Sequence, residues 1–109
     1  MNADALFDSL SCDLLGAGAT PSTMFGKRSL TINGKAFACL KGDLLAFRLG
    51  AGSHEHQEAL ALPGAELFDP SGKAHPFKDW VAIPVANADR WPQFGDAAII
   101  HTKSLAAGK

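Results

Sequence analysis

The dipeptide Asn33-Gly34 constrains the fold of this chain more than any other feature. It stands between two runs of alternating texture. Leu30 and Ile32 are set against Ser29, Thr31 and Asn33, and then Ala36, Ala38 and Leu40 against Phe37 and Cys39. Both residues of the dipeptide tolerate positive φ, so a two-residue turn folds the chain back on itself as a hairpin. The second run is apolar at nearly every position, which predicts a strand buried on both faces. Gly42-Asp43 supplies the next turn, and Leu44 to Leu49 a third strand with Arg48 near its end. Three strands joined by tight turns make an antiparallel meander. Its first strand is expected to open at Met24-Phe25-Gly26, after a loop over 16–23.

The flanks have a different period. Leu6, Phe7, Leu10, Leu14 and Leu15 have near-helical spacing, with Asn2 or Asp4 able to cap the start and Gly16 the end. This predicts a helix over 2–15. After Gly50-Ala51-Gly52, Ser53 is a credible N-cap for a short helix through Leu62, which Pro63-Gly64 stops. Residues 65–69 read as a short strand, Pro70-Ser71-Gly72 as a turn, and Trp80 to Pro84 as a strand with Val81 and Ile83 on one face. Asn87 or Asp89 can cap a last helix whose apolar stripe is Trp91, Phe94, Ala97, Ala98, Ile99 and Leu105, with Pro92 tolerated only in its first turn. The order is helix, three strands, helix, two strands, helix. It predicts an α+β fold, an antiparallel five-stranded sheet with helices packed on one face.

The 109 residues suit one domain, and with 47% hydrophobic residues they can fill its core. Ten basic and eleven acidic residues leave a net charge of -1, which argues against a dedicated nucleic-acid binder. The N-terminal stretch has neither the basic region nor the unbroken apolar run of a secretory signal, and no run approaches the ~18 apolar residues of a membrane span. A cytoplasmic protein is therefore expected, with Cys12 and Cys39 reduced and both acting as small buried hydrophobes.

The ordered motifs resemble a known family. They are Met24-Phe25-Gly26, Asn33-Gly34-Lys35-Ala36-Phe37-Ala38, Leu44-Leu45-Ala46-Phe47-Arg48-Leu49, Phe68-Asp69-Pro70 and Lys78-Asp79-Trp80-Val81-Ala82-Ile83-Pro84, followed by Arg90-Trp91 and an Ala-rich helix. Together they are similar to the N-terminal domain family of the bacterial TfoX (Sxy) proteins, over roughly residues 20–103 of the chain. The resemblance implies an α-β(3)-α-β(2)-α fold like that of type III secretion chaperones, and a single-domain member of a family whose full-length proteins regulate natural competence. Lys27-Arg28 departs from it, since many members have a glycine and a small residue there. The family has no established catalytic residues, so none carries over.

Among candidate sites, His54-Glu55-His56 is the sharpest. At a helix start the two histidines are split by about 200°, and a metal would need further ligands from His75 or His101. No metal or cofactor is expected. The basic residues Lys27, Arg28, Lys35, Lys41 and Arg48 could hold an anion but read more simply as a solvated sheet edge; alternation places Arg28 on the face of Leu30 and Ile32. Phe25 and Gly26 could rim a pocket with Arg48, and Trp80 and Trp91 suit either core or interface. No nucleophile elbow, phosphate loop or dinucleotide fingerprint occurs.

These observations favour a non-enzymatic regulatory or protein-interaction domain, with Phe25, Gly26, Arg28, Arg48, His75 and Trp80 as its possible surface. A five-stranded sheet covered on one side leaves the other open, and homodimerisation through that face or an edge strand is the simplest remedy. The alternatives are a small-ligand binder or undescribed enzyme with a pocket near Arg48, His75 and Trp80, and, less favoured, a nucleic-acid-associated regulator.

Overall fold

The computed structural model describes residues 3–24, 26–69 and 77–107, with the side chains of Met24, Phe77 and residues 105–107 outside that description. The expected turn at Pro70-Ser71-Gly72 also lies outside it, as do Phe25 and His75. Helix α1 (Ala3–Leu15) leads into strands β1 (Thr20–Met24), β2 (Lys27–Ile32), β3 (Lys35–Lys41) and β4 (Leu44–Arg48). Helix α2 (His54–Leu60), strands β5 (Glu66–Phe68) and β6 (Phe77–Pro84), a 3₁₀ segment (Val85–Arg90) and helix α3 (Trp91–Ala107) follow. All pairings are antiparallel, in the order β1-β2-β3-β4-β6-β5.

The α+β class is as expected, but the sheet has six strands, not five. The added strand is β1, which falls mostly within the expected loop over 16–23. It carries Thr20, Pro21, Ser22 and Thr23, so it has no apolar alternation to reveal it, and Pro21 suits an edge strand, where one side of the backbone forms no ladder. Met24 therefore closes β1 rather than opening the meander, and Gly26, at φ +72°, makes the turn into β2.

The hairpin turn is as the sequence predicts, with Asn33 at φ 53° and Gly34 at φ 78°. The hairpin also holds an irregularity. Leu30 pairs with Ala38 and Thr31 with Ala36, so Phe37 bulges out of the ladder and packs in the core beside Ala38. One face of the sheet, with Leu30, Ile32, Phe37, Leu40, Leu45, Phe47, Val81 and Ile83, packs under Phe7, Leu10 and Leu14 of α1 and Trp91, Phe94, Ala98 and Ile99 of α3. Trp91 is core, and its indole N–H donates to the Ile83 carbonyl at 3.2 Å. A 3₁₀ turn, not a side-chain cap, leads into α3; Asn87 instead donates to the Pro63 carbonyl at 2.9 Å.

Cys39 is buried as expected, but Cys12 is exposed. The buried stripe of α1 runs Ala3, Phe7, Leu10, Leu14, and position 12 falls on the opposite side of the helix. Among the described residues no helix is long and apolar enough to cross a membrane.

Candidate functional site

The outer face of the sheet, expected to be open, is largely closed within the chain. Ser29, Cys39, Ala46 and Ala82 stand side by side in register across β2, β3, β4 and β6, and each is at most 1% exposed. Beside this row of small side chains Trp80 and Phe68 pack with ring centroids 5.6 Å apart, and both are buried. Lys41 reaches from β3 to donate to the Asp69 carbonyl at 2.6 Å, tying the end of β5 over the same face. Burial pushes the Cys39 thiol up to about 11, outweighing the Lys27 charge, which acts in the other direction. It is held in the protonated, unreactive form at neutral pH.

The sequence-derived surface residues are therefore dispersed. Arg48 and Trp80 are neighbours, paired in register on the outer face. Arg28 lies on the opposite face, as its alternation with Leu30 and Ile32 predicts. There its guanidinium stacks 4.8 Å from the Phe7 ring centre and pairs with Asp4 and Asp8 of α1. The hydrogen bond it donates to Asp8 is the largest influence raising the guanidinium above its ordinary value. Gly26 sits at the Lys41 end of the strands, whereas Arg48 sits at the other end. Gly26 and Arg48 thus share no pocket rim; Phe25 and His75 lie outside the described residues. The two histidines of His54-Glu55-His56 are split as the helical spacing predicts. The His54 side chain is exposed, with Nε2 3.7 Å from Glu58, while the His56 ring is buried. Among the described residues no three His, Cys, Asp or Glu side chains converge as a metal site would require.

The structure also builds a site that sequence reasoning missed, a cleft of about 500 Å³ between α2 and α3. Its walls are fixed by local chemistry. Ser53 caps α2, its Oγ accepting from the His56 N–H at 3.1 Å and donating to the Leu49 carbonyl at 2.8 Å. His56 Nε2 lies 2.7 Å from the Lys78 carbonyl; a carbonyl only accepts, so this nitrogen carries the proton and fastens α2 to β6. Opposite, the His101 ring of α3 rests against Gly50. A Cβ on Gly50 would stand 2.6 Å from the ring, and the backbone there has φ +88°, so both the approach and the turn require glycine.

At one end the cleft is closed by a bonded group. Arg90 meets Glu58 at 2.8 Å and donates to Gln93 at 2.9 Å, and Gln93 donates to Glu58 at 3.1 Å. Leu49 and Ala97 line the cleft with Ile100, which is 70% exposed. Glu55, Glu58 and Asp96 contribute carboxylates, and among the described residues Glu55 and Asp96 form no ion pair. One signal for this site was present in the sequence. A helix cannot bury both members of Ile99-Ile100 on one face, and the stripe Trp91, Phe94, Ala98 assigns Ile99 to the core and leaves Ile100 outside.

Comparison of the chain with protein-family models, with curated proteins and with solved structures found no match.

Proposed function

We propose that this chain is a non-enzymatic protein-interaction domain of regulatory type, similar in plan to the N-terminal domain of TfoX. Apart from β1, the element order is the α-β(3)-α-β(2)-α order of that family, which supports the likeness. The observation that carries the interaction reading is the cleft between α2 and α3. It is solvent-open, walled by a continuous helix face, and carries an exposed Ile100 beside the carboxylates of Glu55 and Asp96, which form no ion pair among the described residues. Large apolar side chains held beside fixed charges are the ordinary make-up of a docking surface. Three side chains suited by type to nucleophilic or acid–base chemistry have structural duties instead. Cys39 is buried as a neutral thiol, His56 holds a backbone carbonyl and His101 packs on Gly50.

A photo-crosslinking residue placed at Ile100 in the full chain tests this in cells. Discrete adducts, with a second copy or with another protein, are expected at Ile100 and not at the exposed turn residue Asn33. Adducts of the same pattern from both positions would refute it.

One observation favours a second reading, a small anion bound on the outer face. The Arg48 Nε is buried beside Trp80 and has no hydrogen-bond partner among the described residues. Inorganic phosphate that raises the melting temperature of the native chain but not of Arg48→Met would support it.

A further inference from the structure

We infer that the α2–α3 cleft is a docking groove for a basic amphipathic helix of a different protein; this rests on the interaction reading and names the kind of partner. The shape comes first. Asp96, Ala97, Ile100, His101 and Ser104 recur at the spacing of a single face of α3, and that face forms one wall of the cleft. A small residue on either side of Ile100 lets a second helix approach closely, while Ile100 stands out as a ridge for it to straddle. An exposed isoleucine projecting between two small residues suits a complementary helix better than it encloses a small molecule.

Charge then selects the occupant. Glu55, Glu58 and Asp96 rim the cleft, and among the described residues only Glu58 is answered, by Arg90 at 2.8 Å and by exposed His54 at 3.7 Å. The same bias runs through the whole helical layer. The helices and the 3₁₀ segment carry seven acids (Asp4, Asp8, Asp13, Glu55, Glu58, Asp89 and Asp96) against two bases (Arg90 and Lys103) among the described residues. The strands carry six bases (Lys27, Arg28, Lys35, Lys41, Arg48 and Lys78) against two acids (Glu66 and Asp79). A helix from a second copy would therefore bring like charge into the cleft. A helix with Lys or Arg flanking an apolar stripe would bring opposite charge and cover Ile100.

The test titrates the full, isotope-labelled chain with synthetic peptides of about 16 residues, long enough to fold as helices on a surface. One has a leucine stripe flanked by lysines, and its twin has glutamates in their place. The Leu/Lys peptide is expected to shift the amides of Glu55, Ala97, Ile100 and His101 and to spare the Asn33-Gly34 turn. Its affinity should fall about tenfold or more in Glu55→Lys/Asp96→Lys and in Ile100→Lys, all at exposed positions where the fold survives, and it should weaken with added salt. Equal binding of the Leu/Glu peptide in the cleft overturns the basic-partner inference and leaves the interaction reading standing. So does a monomer–dimer equilibrium that shifts the same amides. Leu/Lys binding that ignores the charge reversals, or that maps to the basic strands, refutes the groove. The absence of binding by either peptide also refutes this groove, whereas the interaction reading fails only on the crosslinking result at Ile100.

Discussion

Gly50→Ala probes the contact that shapes the cleft, and its effect can be worked from geometry. The substitution does two separable things. It places an L-residue at φ +88°, a left-handed backbone that costs about 1–2 kcal/mol. It also puts a methyl group 2.6 Å from His101 Cε1, 3.0 Å from Nδ1 and 3.1 Å from Nε2, so the ring must move. Overpacking of this kind costs about 1–3 kcal/mol, and because the ring is partly exposed and can rotate away, the lower end applies here. The variant should lose about 2–3 kcal/mol in all, summing these two estimates.

The two parts separate in a double-mutant cycle with His101→Ala. In that background the methyl group meets no ring, and Gly50→Ala should cost only the backbone share, leaving a coupling of about 1 kcal/mol. Urea unfolding followed by far-UV circular dichroism reads all four corners of the cycle. A cost for Gly50→Ala that is the same with and without the imidazole would refute the packing of His101 on Gly50, and with it the described wall of the cleft. A cost near zero in both backgrounds would refute the left-handed turn as well.

Three further outcomes follow from single contacts. Asn33→Val forces a β-branched residue to φ 53° and should destabilise the chain by about 1–2 kcal/mol, whereas Asn33→Gly should be near neutral; thermal melts compare them. His56→Ala removes a ring that is 6% exposed and strands the Lys78 carbonyl, so it should cost about 2–3 kcal/mol by denaturant titration; a loss below about 0.5 kcal/mol would refute that anchor. Cys39 makes stability fall at alkaline pH. The fold raises its thiol from about 9 to about 11 by favouring the neutral form, so its contribution is complete below pH 9 and is lost as the pH rises through 11. Cys39→Ala should flatten that decline, and thiol reagents should modify exposed Cys12 well before Cys39.

Features governed by local chemistry were legible in the sequence. Asn33-Gly34 needs two positive φ angles and has them, Ser53 caps α2, and the doubly apolar run is buried on both faces from Phe37 to Leu40, with Ala36 partly buried. Strand β1 was not legible, because an edge strand of Thr, Pro and Ser buries little and so leaves no apolar period. The Phe37 bulge and the 3₁₀ segment escaped for a related reason, since each is a local departure imposed by packing rather than by residue preference. Arg28 was placed on its correct face, but its partners Asp4 and Asp8 lie 24 and 20 residues away and are brought to it by tertiary structure. The cleft was hidden most thoroughly. Glu55, Glu58, Asp96 and Ile100 come from two helices that share no motif, and only tertiary docking, of α2 through His56 and of α3 through its core face and the His101–Gly50 contact, sets them face to face.

That docking bears on where a partner can bind. A six-stranded sheet with helices on one side would normally offer its bare face for association. Here that face is spent internally. Small side chains at Ser29, Cys39, Ala46 and Ala82 form a trough that accessible surface hardly reaches, with Trp80 and Phe68 packed beside it and Lys41 bonded across to Asp69. The edges are poorly suited as well. β1 carries Pro21, which lacks a donor, and β5 is only three residues long. The exposed large apolar side chains of the described residues, Leu15, Leu60 and Ile100, all belong to the helices. Of these, Ile100 alone lines the α2–α3 cleft, where fixed carboxylates can choose a partner by charge. On the proposed interaction reading, a protein partner is therefore to be sought on the acidic helical layer rather than on the sheet.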